Sequence, residues 1–434
     1  METLHMNSTM PTGSFNLNEM IENELVAAHF QPLVSMKKKA VVGFEGLARG
    51  IHPETQALIP PTELFPKAEQ RGLTLALDRL CRKKVLEAFQ EIRAGHPDCF
   101  LSLNFQASVI DQGVLGSGNL INQVKSLELD PRCIALEIIE SNVRNLAGLQ
   151  KFIQTYRDYG FLIALDDVGA GHSNLNRIPL LKPDILKVDR YLVQGIHQDF
   201  YKQEIFKSLV GLARKIGALV LAEGVETMDE ALSVMELGVD MIQGYCFSKP
   251  NRYDLLDSES VMAQVQFLSR QFKGVFLQRL GVKRLNLKRY ELMTRDIQAE
   301  LSKVRTEEFD LRISELMPYF PLAECLYVIG DNGLQVTDTF FTDLEESGKN
   351  RFIFKPAAKG TDHTMKDYYY MIMDGGLRKD TFISEPYLSL ATGSPCVTFA
   401  RLFKDLDGNL FILCVDINTS YLQSISAARG KTNS

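Results

Sequence analysis

The chain has 434 residues, 45% of them hydrophobic and 24% charged, which suits two or three ordered domains rather than one. A formal net charge of −6 argues against a nucleic-acid polymer as partner, because no basic excess is present to neutralise a run of phosphates. Seven cysteines without a Cys-x-x-Cys pair argue against a disulfide framework and a zinc ribbon. The opening METLHMNSTMPTG has no apolar leader core, and no stretch approaches the roughly 18 apolar residues that span a bilayer. A soluble, cytoplasmic protein with no membrane segment is expected.

In chain order, a strand HFQPLVSM comes first, and Lys37–Lys39 after it form a solvated turn. Apolar, β-branched runs follow, each ending in a polar residue: VVGFE at Glu45, LSLN at Asn104, IALE at Glu137, LIALDD at Asp166 and Asp167. ILKV then carries Lys187, LVLAE ends at Glu223 and MIQG carries Gln243. Between them lie helical patterns such as QEIFKSLVGLARKIG, with apolar residues three and four apart. Strand and helix alternating through residues 1–252 predict an α/β fold in which a parallel sheet closes into a barrel. In such a barrel, side chains at the C-terminal strand ends share one site.

Residues 253–315 read as a helical linker, with helices over 258–280 and 287–305. Val261, Val265, Leu268, Phe272 and Val275 form one apolar seam, and Tyr290, Met293, Ile297, Leu301 and Val304 a second. Each seam fits packing on its own domain or a dimer contact. Residues 316–434 change to an α+β pattern with two hairpins, ECLYVIG-DNG-LQVTDTF and CVTFARLFK-DLDGN-LFILCVDI.

Glu45, Asn104, Glu137, Asp166 and Asp167 are hard oxygen donors with no Cys or His among them, which favours Mg²⁺ or Mn²⁺. Adjacent aspartates at a strand end suit two cations about 3.5–4 Å apart, the arrangement of phosphodiester hydrolysis. Lys187 is then placed to neutralise phosphate charge or orient water. Glu223 is placed to accept that water's proton or bind a metal, and Gln243 to hold the water.

From FQPLV (30–34) to QGYCFSKP (243–250) the chain resembles the EAL family of cyclic di-GMP phosphodiesterases. The stretches that carry the likeness are EGLAR, LSLN, EIIE, DDVGAGHSNL, LKVDR, AEGVET and QGYCFSKP. The resemblance implies a TIM-like (β/α)8 barrel with one strand reversed. It also implies a cyclic-guanylate-specific phosphodiesterase that opens cyclic di-GMP to linear pGpG with two Mg²⁺ or Mn²⁺ ions. Carried over by motif, Glu45, Asn104, Glu137, Asp166 and Asp167 hold metal, while Lys187, Glu223 and Gln243 handle water. Gln31, Leu47 and Arg49 contact substrate, and Glu140 steadies the loop after Asp167.

Two departures from the family pattern stand out. The signature Glu-Ala-Leu reads Glu45-Gly46-Leu47, expected to loosen the backbone. Val168, Ala170, His172 and Asn174 replace Phe, Thr, Tyr and Ser in the loop that the family couples to dimerisation. Around DTFISEPYLSLATGSPCVTFARLFKDLDGNLFILCVDI the third region is similar to PAS-like Cache sensor modules, implying regulation and an unidentified small-molecule ligand. An active enzyme, expected as a homodimer, is the leading reading. The alternative is a catalytically weak cyclic di-GMP receptor that signals to a protein partner.

Overall fold

The computed structural model describes residues 15–106, 118–139, 145–170, 174–342, 356–373, 380–389 and 394–419. The chain divides into two compact units, Met1–Phe276 and Leu277–Ser434. In the first, nine strands among the described residues form one sheet: β1 (Val26–Ser35), β2 (Ala40–Ile51), β3 (Leu58–Ile59), β4 (Phe100–Gln106), β5 (Ile134–Ile139), β6 (Leu162–Val168), β7 (Ile185–Val188), β8 (Leu219–Ala222) and β9 (Met241–Ile242). Their order is β1-β9-β8-β7-β6-β5-β4-β2-β3, and β1 also pairs with β2, so that eight of the described strands close a barrel. β1 is antiparallel to both neighbours, while β2 and β4 to β9 pair in parallel. The expected TIM-like barrel with one reversed strand is therefore present.

Two-residue alternation builds the interior. Ala135, Ala164, Ile185, Leu221 and Met241 form an apolar layer inside the barrel. Leu136, Ile138, Leu165, Val188 and Ala222 point outward into the layer shared with the helices. The next inward position on β5 to β7, and just past the ends of β8 and β9, is Glu137, Asp166, Lys187, Glu223 or Gln243. Each polar residue stands two positions beyond an apolar one, so a single register error would turn it out of the barrel.

One acidic side chain ties the loops above the sheet together. Glu230, on the Met228–Glu236 helix, is 4% exposed. Its carboxylate accepts the backbone N–H groups of Gly195 at 2.9 Å and of Glu226 and Thr227 at 3.0 Å. Burial acts to raise its pKa, but these bonds outweigh it and hold the group below its ordinary value. Glu230→Ala should destabilise the first unit by about 2–3 kcal/mol. Because the folded pKa is depressed, that stability is present above the unfolded value of about 4.3 and lost as pH falls through the folded one. Urea titrations should therefore show the gap between native protein and variant closing below about pH 4.

A single helix, Ser258–Leu301, replaces the two expected over 258–280 and 287–305. The stretch between them, 281–286, has Gly281 but no proline, and a helical glycine costs only about 1 kcal/mol. Its first seam (Val261, Val265, Leu268) is buried in the core of the first unit, and its second (Tyr290, Met293, Ile297, Leu301) in that of the second. Among the described residues no helix is long and apolar enough to cross a membrane.

The second unit is an antiparallel sheet of β10 (Ala323–Gly330), β11 (Phe340–Phe341), β12 (Thr381–Ile383), β13 (Tyr387–Leu388), β14 (Pro395–Lys404) and β15 (Leu410–Asn418). Its order is β11-β10-β15-β14-β12, with β13 on β14. The hairpin expected around DLDGN joins β14 to β15, and Asp405 closes it by accepting from Asp407 and Asn409 backbone N–H groups at 3.0 and 2.8 Å. The hairpin expected around Asn332 is incomplete. Thr337 Oγ1 accepts the Val328 N–H at 3.0 Å, in place of a strand carbonyl, and only Phe340–Phe341 pairs as a strand.

Candidate active site

Lys187, 1% exposed, is caged by acids. Its Nζ lies 2.7 Å from Glu137, 2.7 Å from Glu223, 3.2 Å from Asp166 and 3.8 Å from Glu45. Burial alone would lower the lysine pKa, but the surrounding carboxylates outweigh it and raise it well above the ordinary value. For Glu137, burial dominates and pushes the pKa up to about 8, with Glu45 and Asp166 adding to it and Lys187 opposing. Glu223 is raised well above its ordinary value, again first by burial. One ammonium does not balance this many carboxylates.

The neutral donors complete the frame. Asn104 Nδ2 donates to Glu45 at 3.2 Å, and Gln243 Nε2 donates to Glu45 and, at 2.9 Å, to Gln31. Gln31 Nε2 in turn donates to the Ser248 carbonyl at 2.9 Å. Ser102 Oγ donates to Glu137, a partner not singled out by sequence. It stands two residues before Asn104 in LSLN, so strand alternation was the signal that would have found it.

Asp167 is brought in by backbone geometry. Neighbours on a strand face opposite sides, yet Asp166, Asp167 and Glu223 each offer an oxygen within 4.8 Å of the others. The cause is a register shift in β6 between Leu165 and Val168, with Asp167 in the left-handed region at φ 56°. Aspartate tolerates that conformation better than most residues. Burial, Asp166 and Asp189 raise the Asp167 pKa.

The space beside Gly46 is filled. A Cβ there would collide with Val85 Cγ1, so the valine on the Thr74–Gly95 helix fills the space of an alanine methyl. Val168 is 1% exposed and packed in the barrel–helix core. Residues 171–173 (with His172) and Glu140 lie outside the described residues, as does the Asn174 side chain.

A cavity of about 230 Å³ opens over this layer, with Gln31, Glu45, Asp166, Lys187, Glu223 and Gln243 on its walls. Arg190, Glu226 and Tyr245, also not assigned from sequence, line it too and are exposed. Leu47 and Arg49 are not among the lining residues. Arg49 is half-buried on β2 and donates to the Ala48 carbonyl at 2.9 Å. Burial lowers its pKa, and Glu45 works against that.

Residues 15–250 match the EAL domain family. The probable cyclic di-GMP phosphodiesterase PdeB of Escherichia coli K12 is 31% identical over 234 residues, 54% of this chain and 44% of PdeB. The cyclic di-GMP phosphodiesterase PdeL of the same organism is 30% identical over 247 residues, 56% of this chain and 67% of PdeL. The chain thus spans less than half the length of PdeB. Bacillus subtilis YkuI, an EAL-domain protein solved with cyclic di-GMP and calcium, has a TM-score of 0.77 at 24% identity, a likeness of fold. It covers 94% of this chain and 100% of YkuI. The cyclic di-GMP complex of the MucR phosphodiesterase of Pseudomonas aeruginosa has a TM-score of 0.50 at 26% identity, covering 55% of this chain and 96% of that structure.

Proposed function

The chain belongs to the EAL domain family, and on that premise we propose that it hydrolyses cyclic di-GMP to linear pGpG with two bound Mg²⁺ or Mn²⁺ ions. The observation that carries this reading is the excess of buried carboxylates around Lys187. Two buried oxygens, Glu137 Oε2 and Gln243 Oε1, also have no hydrogen-bond partner among the described residues. An oxygen-only donor set with unsatisfied acceptors fits hard divalent cations. Glu45, Asn104, Glu137, Asp166 and Asp167 would hold them. When bound, such ions polarise the phosphodiester and lower the pKa of water.

The chain's own groups supply the rest. Lys187 places a fixed positive charge beside phosphate oxygens that gain charge as water attacks. Glu223 takes the proton of the attacking water as the new P–O bond forms and one P–O3′ bond breaks. The departing 3′ oxygen leaves as a hydroxyl after protonation, giving a 5′-phosphate and an open dinucleotide. Gln243 holds the attacking water through its amide.

The second unit is proposed as a PAS/Cache-like sensory module that sets the rate, with the Ser258–Leu301 helix as the route because it supplies residues to both cores. One assay tests both statements: product formation from cyclic di-GMP with Mg²⁺ or Mn²⁺ by the full chain, by Glu45→Ala and by residues 1–276. The full chain should give pGpG, Glu45→Ala should give at least 10³-fold less, and the truncated chain should differ in rate while still binding nucleotide. The cut belongs after residue 276, because Val265 and Leu268 are fully buried in the barrel unit. Binding without product would replace the enzyme reading by the receptor reading. Absence of binding would overturn both, and an unchanged rate after truncation would overturn the regulatory role.

A further inference from the structure

Alternate residues of β14, Val397, Phe399, Arg401 and Phe403, share one face of the second unit's sheet. The three apolar ones belong to the core that Tyr290, Met293 and Ile297 of the Ser258–Leu301 helix complete. Arg401 interrupts that row, opposite Leu413 of β15 and Thr381 of the edge strand β12, and is only 8% exposed. Its Nε and Nη2 are buried without a hydrogen-bond partner, and it forms no ion pair among the described residues. We propose that Arg401 is the floor of an oxyanion site, completed by Arg295 of the helix, that takes a small molecule through a carboxylate or phosphate group. This site belongs to the second unit alone and is independent of the hydrolytic reading of the barrel.

A guanidinium stays charged at every working pH and carries five N–H donors. Taken out of water with no acceptor, it is unfavourable, and an apolar side chain of similar volume would suit the place between Phe399 and Phe403 better. Burial accordingly holds the Arg401 pKa below its ordinary value, with Arg295 adding to this and Glu291 and Asp380 opposing. Neither acid forms a hydrogen bond or an ion pair with Arg401. Asp380 is exposed, and Glu291 pairs with Arg295 instead, at 3.3 Å, where both side chains are more than half exposed.

The partner that Arg401 lacks is therefore an oxyanion, which a guanidinium fork meets with two parallel hydrogen bonds. Arg295 stands close enough for its charge to act on Arg401, so one anion can answer both. Glu291 is a weak competitor, because an exposed pair contributes little, and a bound anion can displace it from Arg295. An anion held by both arginines would fasten the helix to β14. That is the kind of input a sensory role for this unit requires.

The test is the melting temperature of the full chain in metal-free buffer, with inorganic phosphate or succinate at about 50 mM against chloride of the same ionic strength. The native chain should melt about 3–6 °C higher in at least one of the two anions, and the larger shift identifies phosphate or carboxylate as the group taken. Arg401→Met should lose that shift, and Arg401→Lys, which keeps the charge without the fork, should keep a smaller part of it. On the exposed side of the site, Arg295→Gln should shrink the shift, and Glu291→Gln, which frees Arg295, should enlarge it. An anion bound in the barrel would raise the native chain and Arg401→Met alike, which separates it from this site. A native chain that melts no higher in either anion than in chloride would overturn the proposal, as would a shift retained in full by Arg401→Met. If the Arg401 variants fail to fold, the helix variants decide: opposite changes in the shift uphold the site, and unchanged shifts in both overturn it.

Discussion

Lys187→Met should lower cyclic di-GMP turnover by at least 10³-fold and destabilise the metal-free protein by about 3–5 kcal/mol. Its ammonium lies within 3.8 Å of four carboxylates, so the substitution removes the cation and leaves the acids facing one another. They respond by holding protons, as Glu137 does already with its pKa at about 8. A carboxyl raised in the folded state gives stability that is full below the unfolded value and lost as pH rises through the folded one. In EDTA, melting temperature should therefore fall from about pH 4.3 to 8 in the native chain, and fall further in Lys187→Met. Added Mn²⁺ should recover much of the stability but not the rate, because the ions replace the charge balance and not the ammonium beside the phosphate. A variant that keeps native turnover, or whose metal-free stability rises with pH, would contradict this account.

The barrel was legible because burial and chemistry follow the same period of two. Apolar residues stand at Ala135, Ala164, Ile185, Leu221 and Met241, and polar ones two positions later, so a strand reading placed Glu137, Asp166, Lys187, Glu223 and Gln243 on the inner face. Asp167 defeats that logic. Only the irregular backbone of β6 turns it toward Asp166, and a left-handed aspartate has no signature in a list of residue types. The packing of Val85 against Gly46 was hidden for a different reason, since it joins a helix to a strand about 40 positions apart in sequence. Arg190 and Glu226 belong to the LKVDR and AEGVET stretches, yet only the fold brings both to the wall of one cavity. The unbroken Ser258–Leu301 helix shows tertiary burial at both ends outweighing two glycines.

Glu223→Gln should reduce kcat by 10²- to 10⁴-fold while KM for cyclic di-GMP and the metal concentration at half-maximal rate stay within about threefold. Glu223 shares an oxygen cluster with Asp166 and Asp167, so it stands where either a ligand or a base could work. Exposure separates the two. Glu137 is sealed at 0%, whereas 18% of the Glu223 side chain faces the cavity from which water enters. Burial raises the Glu223 pKa well above its ordinary value while Lys187 opposes it, so ionisation of this carboxyl would give the base a pH signature. The native rate should therefore climb with pH along a limb that is absent from Glu223→Gln, since an amide has no proton to lose. A rise in the metal requirement, with kcat restored at saturating Mn²⁺, would instead make Glu223 a ligand and transfer the proton-accepting role to another carboxylate in the layer.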